Sequence, residues 1–312
     1  MILAKDFIET AEGLVFAVVE SGLEQGKVLC FLRYIKTGNQ WEKVNTEQAN
    51  NYLLEHYPQY LYYSPIKQAH CHALSLDNVF KHHQAKQRVK QLLLADNYDA
   101  VEKDCIALCL LLQKQGLNLD LIGITGSILI SAQKPSSDID LVFYTRDIFN
   151  QARTVIKQLI EQGSYQALAD KDWLDSYDRR QCDLSYPEYL WHEKRKFNKA
   201  LINGRKFDLS FVSAIVATSD KSPVVYKKLG SVMLHVKVLD ASLAFDYPAQ
   251  FTIDHPEIKH IVCYTATYTG QAKAGEWVEV AGLVEQAANA TKRIIVGSNR
   301  EASGEYIKVV NE

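Results

Sequence analysis

The stretch LDLIGITGSILISAQKPSSDIDLVFY, from Leu119 to Tyr144, decides the fold that we predict for this chain. It predicts a strand, a Gly-Ser turn, a short helix, a polar loop and a second strand. Asp138 and Asp140 lie near its end, where alternate side chains of a strand point to the same face. Two neighbouring carboxylates raise each other's pKa unless a cation lies between them. The pair therefore predicts a site for a divalent metal ion.

Gly126 and Ser127 follow a short apolar run and predict a phosphate-binding turn. A glycine allows the backbone to turn sharply and to approach a ligand closely. Ser127 is expected to cap the helix that follows it. The free N–H groups and the positive dipole end of that helix would then face a phosphate. One segment thus offers an anion-binding turn and a metal-binding carboxylate pair.

The order of these residues resembles the signature of the DNA polymerase β-like nucleotidyltransferase superfamily. In that signature a Gly-Ser pair is followed, after a spacer, by Asp-x-Asp between apolar residues; Gly126, Ser127, Asp138 and Asp140 match it here. Asp-x-Asp alone is common at exposed strand ends. Its combination with the Gly-Ser turn favours the nucleotidyltransferase fold.

The resemblance implies a third carboxylate on a neighbouring strand, and the sequence offers Asp183 in CDLSY and Asp208 in RKFDLSFV. We predict Asp208, because Phe207, Leu209 and Phe211 indicate a buried strand with Asp208 on its other face. Asp183 has little apolar support and is predicted to be a solvated loop acid or a helix cap.

The resemblance implies metal-dependent transfer of a nucleoside monophosphate from a nucleoside triphosphate such as ATP to a hydroxyl acceptor, with RNA or another nucleic-acid end as the candidate acceptor. The acids would be both the catalytic residues and the ligands of Mg²⁺ or Mn²⁺: Asp138, Asp140 and Asp208. The turn and the loop beside the acids would hold the triphosphate through Gly126, Ser127 and Ser137.

A second interpretation is a non-catalytic protein on the same fold that senses nucleotides or binds RNA or a protein partner. Three well-placed carboxylates favour the enzyme, since a sensor has little need for all of them.

The order of predicted elements indicates an α+β protein of three domains. Residues 1–85 predict an N-terminal α+β module, residues 86–220 a nucleotidyltransferase domain with a polymerase β-like palm, and residues 221–312 a small C-terminal β-barrel. Helical patterns run from about Gln84 to Gln115 and over residues 146–161. In the last domain, GEWVEVAGLVEQ resembles the first strand of an oligonucleotide-binding barrel.

The N-terminal module carries no chemical motif that we recognise. LVFAVVE and VLCFLRYI predict two strands of a hairpin or meander, and Asn45 with Gln48 predicts a capping box at the start of a helix. His70, Cys71 and His72 lack a partner cluster for zinc. The six cysteines are scattered and predict buried thiols rather than disulfides.

The segment between the second helix and Asp208 is rich in basic and aromatic residues. Residues 179–206 contain basic residues at positions 179, 180, 194, 195, 196, 199, 205 and 206, against acids at 183, 188 and 193. Two interpretations stay open: contact with a triphosphate or an acceptor backbone, and a solvated helix face whose charges pair locally.

Composition bounds the class of protein. The chain has 312 residues and a formal net charge of −2, which argues against a surface covered by nucleic acid. No apolar run approaches the roughly 20 residues that span a bilayer, and the N-terminus lacks the pattern of a signal peptide. A cytoplasmic protein without a membrane partner is expected, and its oligomeric state is not predicted.

Overall fold

The computed structural model describes residues 1–163, 166–213, 224–298 and 302–311. In this described part the chain is a mixed α+β protein with three sheets and six α-helices. It forms two compact units. The first consists of Met1–Ala167 with the segment that begins at Asn198, and the second of Leu168–Phe197 with the C-terminal residues from 224 onward.

The N-terminal sheet has seven strands in the order β5-β6-β3-β2-β1-β7, with β4 paired to β3. Its strands are β1 Phe7–Glu9, β2 Leu14–Val18, β3 Lys27–Thr37, β4 Gln40–Lys43, β5 Leu61–Ser64, β6 Ala69–Ser75 and β7 Lys81–His83. The predicted antiparallel pair of LVFAVVE and VLCFLRYI is confirmed as β2 and β3.

Helix α1, Thr46–His56, covers one face of this sheet. The predicted capping box is confirmed: Asn45 Oδ1 accepts from the Gln48 N–H at 2.9 Å, and Gln48 Oε1 accepts from the Asn45 N–H at 2.9 Å. Leu53 on this helix is fully buried in a core that includes Phe16 and Leu32. The cap starts the helix, and the apolar face fixes it to the sheet.

The central sheet has the strand order β10-β11-β9-β8. Its strands are β8 Ile122–Thr125, β9 Ile139–Phe143, β10 Lys199–Ile202 and β11 Arg205–Phe211. Strands β9 and β11 are parallel, and the other neighbours are antiparallel. The predicted strand around Asp208 is confirmed, since alternate residues of β11 are buried.

Three helices belong to the same unit: α2 Ala85–Leu93, α3 Ala100–Lys114 and α4 Arg146–Glu161. Helix α4 confirms the prediction for residues 146–161. The helical pattern predicted from about Gln84 to Gln115 is confirmed as two helices, because the chain leaves the helix after Leu93. It starts again where Asp99 and Glu102 form a capping box.

The second unit contains helices α5 Asp170–Arg180 and α6 Tyr186–Lys194. Its sheet is formed by β12 Tyr226–Asp240, β13 Ala249–Ile253, β14 Ile258–Cys263, β15 Trp277–Ala287, β16 Lys292–Val296 and β17 Tyr306–Val310. The strand order is β12-β13-β14-β16-β15-β17, and β12 also pairs with β15.

GEWVEVAGLVEQ forms most of β15, the fourth strand of this sheet along the chain, and its resemblance to a strand of an oligonucleotide-binding barrel stays a prediction. A Cβ at Gly282 would lie 2.1 Å from the Ile295 carbonyl oxygen. Only glycine lets β16 approach β15 this closely.

The predicted boundary between the second and third domains, at residues 220 and 221, lies outside the described residues. The segment Leu168–Phe197, which we predicted within the central domain, groups with the C-terminal residues. Its Trp173 and Tyr189 pack in the apolar core of the second unit. None of the helices in the described ranges has the length and apolarity to span a membrane.

Candidate active site

Two of the predicted acids lie next to each other on the central sheet. Asp140 of β9 is directly opposite Asp208 of β11 in the parallel pair. The same row continues to Thr125 on β8 and to Lys199 on β10. Residues that lie opposite each other in a sheet point to the same face. A row of polar residues therefore crosses one face of the four strands.

Asp138, the third predicted acid, immediately precedes β9 and is exposed. Burial raises the pKa of Asp140 to about 7, and the charges of Asp138 and Asp208 add to the rise. The positive charges of Lys5 and Lys43 act in the opposite direction. The structure thus brings all three acids within electrostatic reach of one another.

Asp208 is oriented by a neighbouring amide. Asn198 Nδ2 donates to Asp208 Oδ1 at 3.2 Å. Asp183 lies elsewhere: it is exposed in a loop of the second unit, where its Oδ2 accepts from the Gly304 N–H at 2.8 Å. The interpretation of Asp183 as a loop acid is confirmed.

Gly126 lies against the carboxylate of Asp140. Its φ is +69°, and a Cβ at this position would lie 2.3 Å from Asp140 Oδ2. Gly126 therefore makes a close approach to Asp140, while the approach to a ligand that we predicted for the Gly-Ser turn stays a prediction. Any L-amino acid here would both strain the backbone and displace the carboxylate.

The short helix predicted at the Gly-Ser turn is a five-residue 3-10 helix, Gly126–Ile130. Ser127 lies inside this turn and no side chain caps it, so the predicted capping role of Ser127 is wrong. A single 3-10 turn also has too few aligned peptides for the dipole argument. Any phosphate contact by Ser127 must come from its hydroxyl and backbone N–H.

Arg88 on α2 holds this turn in place. Its Nε donates to the Ile128 carbonyl at 2.9 Å, and its Nη2 donates to Ser131 Oγ at 3.1 Å and to Glu102 Oε1 at 2.8 Å. The ion pair with Glu102 ties the turn to α3 as well.

Arg205, at the start of β11, holds the loop that carries Ser137 and Asp138. Its Nη1 donates to the carbonyls of Pro135 at 2.8 Å and Ser137 at 2.7 Å, and its Nε donates to Asp104 Oδ2 at 2.8 Å. Sequence reasoning counted Arg205 only as part of a basic segment. Its guanidinium donors instead hold the loop of Asp138 beside strand β11, which carries Asp208.

Ser137 was predicted to contact phosphate. Its hydroxyl oxygen accepts from the Lys134 N–H at 2.9 Å, and its own N–H donates to the Lys134 carbonyl at 2.8 Å. The residue therefore closes the loop, and its hydroxyl proton remains available for a ligand.

Two other basic residues of the segment 179–206 form ion pairs. The Lys196 amine is buried and contacts Glu193 Oε1 at 2.5 Å and the Thr267 carbonyl at 3.0 Å. Arg195 pairs with Glu276, which is 81 residues away in the chain. The predicted solvated helix face with locally paired charges is therefore wrong for these two residues, because Lys196 is buried and the partner of Arg195 is distant in the chain. Lys199 belongs to the row of the central sheet.

The N-terminal sheet adds residues to the site that no sequence motif identified. Tyr34 lies opposite Lys43 in the pair of β3 and β4, and it packs against Leu129 and Ile130 of the 3-10 turn. Burial raises the pKa of Tyr34 to about 12; Arg33 opposes the rise, while the charges of Asp140 and Asp138 increase it.

Lys5 is the second contribution from the N-terminus. Its carbonyl accepts from Thr125 Oγ1 at 2.6 Å, and its φ is +71°, in the left-handed region. Thr125 lies opposite Asp140 in the strand register, so the backbone of Lys5 contacts the direct neighbour of Asp140. Lys5 and Thr125 are 120 residues apart in the chain, so the sequence alone does not indicate this contact.

No group of three or more His, Cys, Asp or Glu residues is arranged to hold a metal ion within the described ranges. The acids present a pair across two strands with a third carboxylate beside it, rather than a closed cage of ligands.

Comparison with known proteins gives a relative from an archaeon. The chain is 32% identical over 343 aligned residues to "Uncharacterized protein MJ1086" of Methanocaldococcus jannaschii, and the alignment covers 98% of each chain. This chain belongs to the MJ1086 family. No protein-family model matches the sequence, and no solved structure matches it.

The alignment with MJ1086 spans the flanking sheets as well as the central one, because it covers nearly all of both chains. The aligned region therefore includes the N-terminal sheet with Tyr34 and Lys43, and it covers 98% of each chain.

Proposed function

We propose that the chain is a metal-dependent nucleotidyltransferase that transfers a nucleoside monophosphate from a nucleoside triphosphate to a hydroxyl acceptor. The observation that carries this proposal is the in-register pair of Asp140 and Asp208 on parallel strands, with Asp138 two residues upstream. The close packing of Gly126 against Asp140 is a second supporting observation, because it joins the Gly-Ser turn to the Asp-x-Asp pair. Together with the mixed four-stranded sheet, they support a polymerase β-like palm.

The donor set fits Mg²⁺ or Mn²⁺. Mg²⁺ usually keeps several waters and binds one or two carboxylates together with substrate phosphates, so it does not need three converging protein ligands. Burial is the main cause of the raised pKa of Asp140, and the negative charges of Asp138 and Asp208 add to it more than Lys5 and Lys43 offset. A divalent cation held by Asp140 and Asp208, with Asp138 alongside, would relieve this repulsion.

When bound, the metal would activate the acceptor hydroxyl and neutralise charge on the triphosphate and the departing pyrophosphate. The chain's own residues set the geometry. Asn198 orients Asp208, while the Arg205 fork keeps the loop of Asp138 beside β11. Gly126 and Ser127 offer backbone N–H groups to the triphosphate, and Ser127 and Ser137 offer hydroxyl groups.

The sheet of the second unit supports the end of a nucleic acid as the hydroxyl acceptor. The pairing of β12 with both β13 and β15 supports a small β-barrel of the strands β12, β13, β14, β16 and β15. Closed five-stranded barrels of the oligonucleotide-binding type hold single strands on their outer face. Strand β12 carries the exposed Lys227, whose amine would contact a phosphate backbone.

The test is transfer of label from each α-labelled ribonucleoside triphosphate, with Mg²⁺ or Mn²⁺, into the RNA, protein and small-molecule fractions of a cell extract. Two variants run beside the wild type: Asp140→Asn and, as a matched control, Asp183→Asn. We expect label in one fraction with the wild type and Asp183→Asn, and none with Asp140→Asn.

Equal labelling by Asp140→Asn would overturn the proposal. If label enters no fraction although the wild type binds a triphosphate in a metal-dependent manner, the chain is a nucleotide-sensing protein and not a transferase.

A further inference from the structure

We propose that the N-terminal sheet and the segment before it form the phosphate-binding wall of this site, with the amines of Lys5 and Lys43 contacting the β- and γ-phosphates of the incoming nucleotide. The inference rests on the proposed nucleotidyltransferase function and assigns a role to a part of the chain in which the sequence offers no motif.

The position of Lys43 follows from strand pairing. In the antiparallel pair of β3 and β4, Lys43 lies opposite Tyr34, so both side chains leave the same face of the hairpin. Tyr34 packs against Leu129 and Ile130 of the turn that begins at Gly126. The face that carries Lys43 is therefore the face turned towards the Gly-Ser turn.

The position of Lys5 follows from a hydrogen bond. The Thr125 hydroxyl donates to the Lys5 carbonyl at 2.6 Å, and Thr125 is the residue before Gly126 and the strand neighbour of Asp140. The left-handed backbone of Lys5, at φ +71°, brings the N-terminal segment over the start of the turn. Lys5 thus approaches the turn from the segment before β1, and Lys43 approaches it from the end of β4.

Both amines are placed to serve a ligand. Lys5 and Lys43 are exposed, and neither forms an ion pair or a side-chain hydrogen bond within the described ranges. Their positive charge is nonetheless felt at Asp140, which places them in the field of the acids. Lysines used only to balance the acids would be expected to form direct ion pairs with them.

A polyphosphate explains this arrangement. Three acids repel an anion, so a nucleotide that binds beside them needs cations on its other side. The turn of Gly126 and Ser127 offers neutral donors only. Two lysines across from the acids, with a metal ion between, would neutralise much of the charge of the β- and γ-phosphates. A nucleoside monophosphate, which lacks the β- and γ-phosphates, would gain little affinity from the two lysines.

The experiment measures the affinity of the full chain for a ribonucleoside triphosphate, diphosphate and monophosphate of each base, by equilibrium dialysis with Mg²⁺. The variants are Lys5→Met, Lys43→Met and the double variant, which keep the apolar stem and remove the charge. Lys43→Arg tests rescue by another cation.

Lys114→Met is the matched control. Lys114 is exposed at the end of α3, and it lies ten residues, about 15 Å of helix, beyond the Asp104 that contacts Arg205. It removes the same charge far from the turn.

We expect each lysine variant to weaken triphosphate binding by about threefold to tenfold, and the double variant by more, with monophosphate binding unchanged. Lys43→Arg should keep most of the affinity for the triphosphate, and Lys114→Met should bind the triphosphate like the wild type. Triphosphate binding by the double variant equal to that of the wild type would overturn the role of the lysines.

The two proposals fail in different ways. If the wild type binds triphosphates, and Asp140→Asn weakens that binding while the lysine variants do not, only the phosphate-wall inference is wrong. If the wild type binds no triphosphate in the presence of Mg²⁺, the proposed function is wrong and the inference falls with it.

Discussion

The Cα of Gly126 faces the carboxylate of Asp140 so closely that a Cβ would lie 2.3 Å from its Oδ2. This contact joins the two halves of the Gly-Ser and Asp-x-Asp pattern. The turn that is expected to meet phosphate and the acid that is expected to meet metal form one packed unit. The position of Asp140 is therefore set by the absence of a side chain at residue 126.

Gly126→Ala is predicted to reduce nucleotidyl transfer by at least about tenfold, because the new methyl group must push the Asp140 carboxylate from its place. The positive φ adds about 1–2 kcal/mol of backbone strain. Gly163→Ala is the matched control, since Gly163 has the same φ of +69° but no atom within 4 Å of the place that its methyl group would take. Both variants should lose the stability that the strained backbone costs, Gly126→Ala should lose more because of its clash with Asp140, and only Gly126→Ala should lose activity. Equal activities would mean that the contact with Asp140 is unimportant.

Asp208→Asn is predicted to abolish transfer, with a loss of at least about 100-fold, because an amide is a poor ligand for a divalent metal. The change keeps the size of the side chain and an oxygen that can accept from Asn198. Unfolding should therefore occur at the same temperature or slightly higher, as one repelling charge next to Asp140 is removed.

The competing third acid supplies the control for that experiment. Asp183→Asn keeps the oxygen that accepts from the Gly304 N–H, and it lies in the second unit. It should leave the rate of transfer within about twofold of the wild type. A full loss in Asp183→Asn with normal activity in Asp208→Asn would reverse our assignment.

Arg205→Ala is predicted to raise the Mg²⁺ concentration needed for half-maximal activity and to lower the free energy of unfolding by about 1–3 kcal/mol. The variant frees the carbonyls of Pro135 and Ser137 and leaves Asp104 without its guanidinium. Asn203→Gly removes a hydrogen bond of 2.9 Å to Asp104 without straining the backbone at its φ of +50°, and it serves as the control. A stability loss with an unchanged Mg²⁺ requirement would restrict Arg205 to a structural role.

How far the sequence predicts this structure depends on whether a signal is local. The capping box at Asn45, helix α4 and the strand of Asp208 were predicted because a few consecutive residues define each of them. The break between α2 and α3 also had a local signal, the capping box of Asp99 and Glu102, which the apolar periodicity around it concealed.

Other features have no local signal. The short 3-10 turn after Gly126 ends where Ser131 adopts a φ of +54°, and nothing in ILIS announces that conformation. Lys5 and Lys43 reach the site through pairing and packing with residues about 90 to 120 positions away. Such contacts depend on the assembled sheets, so the sequence motif predicts the acids but not Lys5 and Lys43.

A buried histidine predicts how stability depends on pH. His72 on β6 is 2% exposed; its Nδ1 accepts from the Leu32 N–H at 3.0 Å, and its Nε2 lies 2.8 Å from Asn50 Oδ1. A backbone N–H can only donate, so Nδ1 carries no proton and Nε2 donates to the amide oxygen. Protonation of Nδ1 would break the bond to Leu32. Burial accordingly lowers the pKa of His72 to about 4.

The unfolded chain takes up this proton near the ordinary histidine pKa of about 6.5, whereas the folded chain resists it until about pH 4. The contribution of His72 to stability is therefore complete above pH 6.5 and is lost as the pH falls towards 4. It amounts to roughly 2–3 kcal/mol. Urea unfolding of the wild type and of His72→Gln between pH 4 and 7.5 measures it. The difference between the two free energies of unfolding should shrink by about that amount as the pH falls, and two parallel curves would show that His72 is not the titrating group.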